Sequence, residues 1–128
     1  MDKTKQLLTV EDILPYLKFI RNKKQEYFVC LSLDSGSRLI ARRVVTIGTL
    51  TASLVHPRET FAGPVKDRAA SVVIAHNHPS GDPIASKADM STTQQLIAAG
   101  QLLGIKLDDH IIVSRTKHYS FRRHGFII

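Results

Sequence analysis

The apolar run ASVVIAH, residues 70–76, constrains the fold of this chain more than any other stretch of its sequence. A continuous run rich in β-branched residues, without alternating polar positions, is typical of a strand that is covered on both faces of its sheet. A short segment rich in Pro and Gly follows, and then a helical pattern from about Lys87 to Leu103 that ends at Gly104. We therefore expect an interior strand that returns through a tight loop into a helix.

Two further helices are predicted outside this unit. Apolar residues at three- and four-residue spacing indicate an amphipathic helix from Thr9, its candidate cap, to about Arg21, and Pro15 leaves the start of that helix undefined. Another helix is expected to begin at Pro57, where a missing N–H does no harm, although Gly63-Pro64 lies within it.

Four β-rich segments complete the pattern. They are EYFVCLSLD at 26–34, SRLIARRVVTIG at 37–48, IKLDDHIIVS at 105–114 and HYSFRRHGFII at 118–128. The first two are joined by a turn-forming Asp-Ser-Gly and therefore predict a hairpin. The resulting order αββαβαββ predicts an α/β fold with a mixed β-sheet sandwiched by helices. We expect a single domain over residues 1–128, in which residues 1–22 form an N-terminal helix leading into the sheet.

Composition excludes several classes of protein and leaves the partner open. No apolar run approaches the roughly 20 residues that span a membrane, and the N-terminus lacks a signal-peptide pattern, so we expect a cytoplasmic protein without membrane association. The single cysteine, Cys30, lies in an apolar run and excludes both an internal disulfide and a cysteine zinc site. The net charge of +7 suggests DNA or an acidic protein partner as much as an ordinary solvated basic surface.

His76 and His78 stand at the end of the expected interior strand. Side chains two residues apart in an extended segment point to the same side, so both imidazoles could face one metal ion. The pair alone is a weak motif, because six histidines among 128 residues give about 0.2 such pairs by chance.

Asp89 is the candidate third ligand. On spacing alone, helix capping is the stronger explanation, because the tetrapeptide 86–89 has the Ser-x-x-Asp form of a capping box. However, Pro79, Gly81 and Pro83 enforce a compact loop that would bring the first turn of the helix back beside the strand end. Ligands commonly bind at strand ends of this kind.

Two imidazoles and one carboxylate leave a fourth tetrahedral position for water, as in catalytic rather than structural zinc sites. Such chemistry also needs a carboxylate that moves protons and a donor for the oxyanion. Ser86 is placed for the second role, and it can also cap the helix. Three glutamates are candidates for the first role. Glu11 belongs to a surface helix, and the residue pattern does not decide between Glu26 and Glu59.

The residues at this strand end resemble a known signature. His-Asn-His-Pro at 76–79, followed after six residues by Ser86 and after two more by Asp89, is similar to the His-x-His-Pro-x6-Ser-x2-Asp signature of JAMM (MPN+/JAB1) zinc metalloproteases. More narrowly, HNHPSGDP, TIGTL, SLVHPRE and LDDHIIV resemble the RadC-like JAB domain of bacteria, from about Lys23 to the C-terminus. The resemblance implies a cytidine-deaminase-like α/β/α sandwich.

The same resemblance implies a specific site. It places His76, His78 and Asp89 on the zinc ligands, Ser86 on the residue that stabilises the tetrahedral intermediate, and Glu26 on the glutamate that activates water. Better-studied relatives cleave isopeptide bonds of ubiquitin or ubiquitin-like tails. The implied reaction is therefore zinc-dependent hydrolysis of an amide bond in a peptide or isopeptide-linked protein substrate.

The sequence leaves two alternatives open. One is a DNA-binding or DNA-repair-associated module, suggested by the net charge of +7 and by the DNA-repair label attached to the RadC family. The other is a catalytically silent scaffold. Nucleobase deamination is disfavoured, because those enzymes use His-x-Glu with Pro-Cys-x-x-Cys. Asn77 stands where eukaryotic members have Ser or Thr, which leaves the substrate open. Four further polar residues are candidates for lining the site, with packed or surface roles equally open: His56, Arg58, Asp109 and His110.

Overall fold

The computed structural model describes residues 3–48 and 55–127, which form one five-stranded sheet with helices on both faces. The strands are β1 (Tyr27–Leu33), β2 (Leu39–Ile47), β3 (Ser71–Asn77), β4 (Lys106–Val113) and β5 (His118–Ser120). The helices are α1 (Val10–Ile13), a 3₁₀ helix (Leu14–Ile20), α2 (Pro57–Asp67) and α3 (Lys87–Leu103). The predicted α/β class and order of elements are confirmed.

The strands lie in the order β2-β1-β3-β4-β5, with β3 at the centre. β1 pairs antiparallel with both β2 and β3, β3 and β4 run parallel, and β5 is antiparallel to β4. Every residue of β3 is buried, as expected of a strand covered on both faces. Because β3 and β4 are parallel and β1 is antiparallel to β3, the ends of β3 and β4 meet the start of β1 at one edge of the sheet.

Apolar clusters cover both faces of the sheet. On one face, α1 and the 3₁₀ helix pack through residues such as Ile13 and Leu17 against Val29 and Val73. On the other face, residues of α2 and α3 pack against a cluster that includes Cys30. Burial raises the pKa of the Cys30 thiol to about 12. The thiol is thus a small buried apolar group, as its sequence context predicts.

The N-terminal helical segment differs from the predicted α-helix in its second half. Thr9 caps α1 as predicted, since its Oγ1 accepts a hydrogen bond from Asp12 N at 3.2 Å and Asp12 Oδ2 accepts from Thr9 N at 3.1 Å. After Ile13 the chain tightens into the 3₁₀ helix, with Pro15 in its first turn. Pro15 has no N–H for the bond that would continue an α-helix, which accounts for the change.

The predicted C-terminal strand is wrong beyond its first residues, because β5 stops at Ser120 and turns follow. Asp109, fully buried, accepts hydrogen bonds from Arg122 N at 3.0 Å and from Ser120 Oγ at 2.5 Å. Ser120 Oγ in turn accepts from Arg123 N at 3.2 Å. These bonds draw the chain off the sheet edge and give Asp109 a structural position. The last predicted strand residue, Ile128, lies outside the described residues.

Residues 49–54, which contain parts of the TIGTL and SLVHPRE motifs, also lie outside the described residues. Within the described ranges, no helix is both long enough and apolar enough to cross a membrane.

Candidate metal centre

Three potential metal ligands meet where β3 ends. His76 Nε2 lies 3.0 Å from His78 Nε2 and 3.3 Å from Asp89 Oδ1. His78 Nε2 lies 3.3 Å from Asp89 Oδ2. One ligand atom from each residue is therefore within 4.8 Å of the others. The strand end and the first turn of α3 come together as the compact loop predicts.

These separations suit a single zinc ion. With metal–ligand bonds of about 2.0–2.1 Å and tetrahedral angles, neighbouring ligand atoms stand about 3.3 Å apart. The contacts are 3.0 Å between the two imidazole nitrogens and 3.3 Å from each nitrogen to a different oxygen of the Asp89 carboxylate. Two imidazole nitrogens and a carboxylate oxygen are also ligand types that zinc accepts in catalytic sites. The three residues could therefore hold a zinc ion.

The loop between β3 and α3 orients His78 through its own backbone. His78 Nδ1 lies 2.9 Å from the carbonyl oxygen of Asp82, and Gly81 N donates to the carbonyl oxygen of His78 at 3.1 Å. Gly81 has a φ of +99°, a conformation that favours glycine. Because a carbonyl only accepts hydrogen bonds, His78 Nδ1 carries a proton. In the neutral ring, the Nε2 lone pair then points toward the other two ligand atoms.

Asp89 has the capping role that spacing alone favours, and it also lies among the candidate metal ligands. Ser86 Oγ accepts a hydrogen bond from Asp89 N at 3.0 Å, and Asp89 Oδ2 accepts from Ser86 N at 2.9 Å, which completes the capping box. The same carboxylate faces both imidazoles. Burial raises the pKa of Asp89, but the hydrogen bonds that His76 and His78 donate to it through Nε2 when their rings are protonated outweigh burial and hold the pKa below its usual range. Asp89 is therefore ionised at neutral pH.

The inner side of His76 is held by a chain of buried side chains. His76 Nδ1 lies 2.8 Å from His110 Nε2, and His110 Nδ1 lies 2.6 Å from Thr93 Oγ1. The Thr93 hydroxyl donates to the carbonyl oxygen of Asp89 at 2.7 Å. Phe121 stacks on the His110 ring at a centroid distance of 4.5 Å. The chain of bonds thus links two candidate ligands through the core.

The hydrogen bonds among Thr93, His110 and His76 indicate which ring nitrogen carries each proton. Burial and the nearby charge of His76 lower the pKa of His110 well below its usual value, so the ring is neutral. Because Thr93 donates its only hydroxyl proton to Asp89 O, it accepts from His110 Nδ1–H, and His110 Nε2 must then accept. His76 Nδ1 is the donor to that nitrogen. In the neutral ring, the Nε2 lone pair of His76 therefore faces the other ligand atoms, as in metal-binding histidines held by an outer partner.

Glu26 lies one residue before β1, at the same edge of the sheet as the ligands. β1 pairs with β3 so that Phe28 stands opposite His76, and continuing this register puts Glu26 opposite His78. The hydrogen bond to Asp89 raises the pKa of His78, and the charge of Glu26 contributes in the same direction. Glu26 is partly buried.

Asn77, between the two histidines, holds the chain on both sides of Glu26. Its Oδ1 accepts from Tyr27 N at 2.6 Å, and its Nδ2 donates to the carbonyl oxygens of Gln25 at 3.0 Å and Lys23 at 3.3 Å. The Asn77 residue is only 1% exposed. Sequence reasoning treated Asn77 only as a departure from the eukaryotic pattern. The structure shows it as a buried clamp on the segment that carries Glu26.

The remaining candidates from the sequence lie elsewhere. Glu59 is exposed on α2, with Arg58 Nε at 3.7 Å from its Oε1. Arg58 lines a groove beside the C-terminal end of α3, whereas Asp89 lies in the first turn of that helix. His56 precedes α2 and its carbonyl accepts the N–H groups of the first turn. Glu11 is exposed and paired with Arg123.

Known proteins are similar to this chain in sequence. A profile of the RadC-like JAB domain family matches residues 7–126, so it includes the N-terminal helical segment that precedes the JAMM-like motifs. The UPF0758 proteins of Methanosarcina mazei and Bacillus licheniformis are 44% and 47% identical over 108 residues, which are 84% of this chain and 47% and 48% of the relatives. The UPF0758 protein of Bacillus cereus (strain B4264) is 42% identical over 118 residues, 91% of this chain and 52% of the relative. The chain spans about half the length of these curated relatives, and it belongs to the RadC-like JAB domain family.

Proposed function

We propose that this domain is a zinc-dependent hydrolase that cleaves an amide bond in a peptide or an isopeptide-linked protein. The observation that carries the proposal is the convergence of His76 Nε2, His78 Nε2 and the Asp89 carboxylate, with both Nδ1 protons directed to fixed acceptors on the far side. Zinc held by three protein ligands supplies a water whose pKa is near 7 and a Lewis acid that polarises a carbonyl.

Glu26 has the role of general base in this proposal. A carboxylate beside the ligands can accept a proton from the attacking water and deliver it to the leaving amine. Its position opposite His78 in the continued register and the Asn77 clamp on the neighbouring backbone support that role. Proton transfer of this kind requires a carboxylate that keeps its place within hydrogen-bond reach of the water, and the buried clamp supplies that constraint.

Ser86 has the role of oxyanion donor. In the capping box its Oγ accepts a hydrogen bond from Asp89 N, which uses a lone pair and leaves the hydroxyl proton able to donate. Ser86 is exposed, so a substrate can reach it. A donor aimed at the oxygen on which charge develops is worth about 2.7–4 kcal/mol of transition-state stabilisation.

Glu26 and Glu59, between which the residue pattern alone did not decide, provide a matched test of this function. We expect Glu26→Gln to keep zinc and to lose hydrolysis by about 10²–10⁴-fold, because only proton transfer is removed. Glu59→Gln, on exposed α2, is expected to keep both properties. Zinc is measured by mass spectrometry of the purified proteins, and hydrolysis with a library of internally quenched peptides and lysine isopeptides.

Zinc content also tests the ligand set directly. His78→Ala is expected to lose zinc, since one of three ligands is removed. Absence of zinc from the wild-type protein, both as purified and after zinc supplementation, would contradict the proposal, as would full hydrolytic activity of the Glu26→Gln protein.

A further inference from the structure

A basic groove leads away from the metal centre, between the end of the 3₁₀ helix, the β3–α3 loop and the β4–β5 turn. It consists of two adjoining clefts of about 720 and 530 Å³. Their linings have four residues in common, which are Arg21, Asn22, Arg115 and Thr116. His78, a candidate metal ligand, lines the second cleft. One end of the basic groove therefore reaches a candidate metal ligand.

The groove has a strongly positive lining. Its basic side chains are Lys18, Arg21, Lys23, Lys24 and Arg115. The carboxylate in the lining is Glu11, and Arg123 Nη2 donates to both of its oxygens, at 2.7 and 2.6 Å. Because that carboxylate already has a cationic partner, it offsets little of the positive potential that a ligand in the groove would meet.

One of these cations is fixed in the wall of the groove. Arg21 Nε donates to the carbonyl oxygen of Ser114 at 2.8 Å, and Arg21 Nη2 donates to that of Lys117 at 2.9 Å. These two bonds use two of the five N–H groups of the guanidinium, which leaves others to face the groove. Lys18, Lys24 and Arg115 are exposed around it. A fixed guanidinium with adaptable cations on either side suits an extended ligand with several negative charges.

The lining favours a polypeptide over a single-stranded nucleic acid. Single-stranded nucleic acids are commonly held by aromatic side chains on which bases stack. Among the described residues that line the two clefts, the imidazole of His78 is the sole aromatic ring. The larger cleft, which His78 does not line, instead has Leu14 and Pro15 in its lining, and these form an apolar surface on which an aliphatic side chain can pack.

We propose that the basic groove binds an acidic segment of the polypeptide substrate, on one side of the amide bond that is cleaved at the metal centre. The placement of that bond rests on the proposed function. The binding of an acidic segment is inferred independently, from the residues and the charge that line the groove. It would select substrates with Asp or Glu near the cleaved bond.

Binding of labelled probes tests the groove without turnover. The probes are a fluorescein-labelled peptide of alternating Glu and Gly, the same peptide with Gln in place of Glu, and an oligothymidylate of equal length. Fluorescence anisotropy at low salt is expected to show tight binding of the Glu peptide alone, weakened by added salt. Binding is measured on the Glu26→Gln protein with and without a chelator, so that neither cleavage nor direct contact with a metal determines the result.

A matched pair of triple variants locates the binding surface. K18Q/K24Q/R115Q removes two Lys and one Arg from the groove, and R58Q/K66Q/K106Q removes the same charges from exposed positions on α2 and at the start of β4. Arg21 is left intact because it ties the helix end to the β4–β5 turn. We expect about tenfold weaker binding of the Glu peptide by the groove variant and little change in the control.

Three results would overturn the proposal: equal binding of the Gln peptide, equal weakening by both triple variants, or tighter binding of the oligothymidylate than of the Glu peptide. The last would assign the groove to nucleic acid. Loss of acidic selectivity with hydrolysis intact removes the groove proposal alone. Selective binding without any hydrolysis removes the proposed function alone.

Discussion

The two candidate imidazole ligands are two residues apart in the chain, yet they are oriented by different parts of the molecule. His76 is 2% exposed, and its Nδ1 contacts a side chain 34 residues away, His110 in β4. His78 is more exposed, and its Nδ1 donates to the backbone carbonyl of Asp82, four residues away in the same loop. Both rings direct Nε2 to the same point. The comparison shows that one ligand depends on the buried core and the other on the local course of the chain.

Substitution of His110 should have the largest effect on this arrangement. His110→Ala removes the acceptor of the His76 Nδ1 proton and the donor to Thr93, and it leaves a cavity beside Phe121. We expect zinc affinity to fall about 10–100-fold, because outer partners of ligating histidines fix the tautomer and the orientation of the ring. Competition with a chromophoric zinc chelator measures this change.

A control separates the hydrogen bond of His110 from its packing. Phe121→Leu removes the stacked ring but leaves both hydrogen bonds of His110 in place. It is expected to lower the free energy of unfolding while zinc affinity of the folded protein stays close to wild type. Equal losses of zinc affinity in the two variants would show that packing alone orients His76.

Thr93→Val should have a smaller effect in the same direction. The substitution keeps the shape of the side chain and leaves His110 Nδ1–H without its acceptor, at a cost of about 1–3 kcal/mol in stability. Zinc affinity is expected to fall by less than for His110→Ala, because the His76–His110 contact remains. Thr92→Val, also at a buried position of α3, is the control. A zinc affinity of Thr93→Val that matches this control would show that the tautomer does not depend on Thr93.

The loop around His78 should be sensitive to backbone geometry and not to the side chain of Asp82. Gly81→Ala forces a left-handed residue at φ +99°, which costs about 1–2 kcal/mol and moves the loop that orients His78. Asp82→Ala keeps the backbone carbonyl and loses only the bond from Ile84 N to Asp82 Oδ1 at 3.0 Å. We expect a few-fold loss of zinc affinity for the first and none for the second. The reverse order would place the Asp82 carboxylate, rather than its carbonyl, in control of His78.

The sequence predicted elements that local residue patterns define more successfully than elements that depend on residues distant in the chain. The buried strand β3, the cap at Ser86 and the end of α3 at Gly104 agree with the structure. The C-terminal strand was wrong because its end is decided by Asp109, a buried residue of another strand. Similarly, the helix predicted from Thr9 changes to a 3₁₀ helix at Leu14, beside Pro15. The sequence shows this proline, but the prediction took it only as leaving the start of the helix undefined.

Part of the outer ligand shell had a signal that could have been used. Thr93 lies four residues after Asp89, so the two share one face of α3, where a hydroxyl can reach the preceding carbonyl. His110 had no comparable signal. In the parallel register of β3 and β4, His110 stands opposite Ile74. Ile74 and His76 are two residues apart in β3, so His110 lies on the same face of the sheet as His76 and close to it. Asn77 points to the face of the sheet opposite the ligands, so its link to Glu26 required knowledge of where β1 lies.

The sequence by itself determined the β3–loop–α3 unit, because the β-branched apolar run, Pro and Gly in the loop and the capping box all lie within residues 70–89. That unit already contains His76, His78 and Asp89. The tertiary structure decided which side chains surround them: Glu26 from the segment that leads into β1, His110 from β4, and the basic groove from the 3₁₀ helix and the β4–β5 turn. These groups come from distant parts of the chain, and their approach depends on strand order and register, which local patterns do not encode.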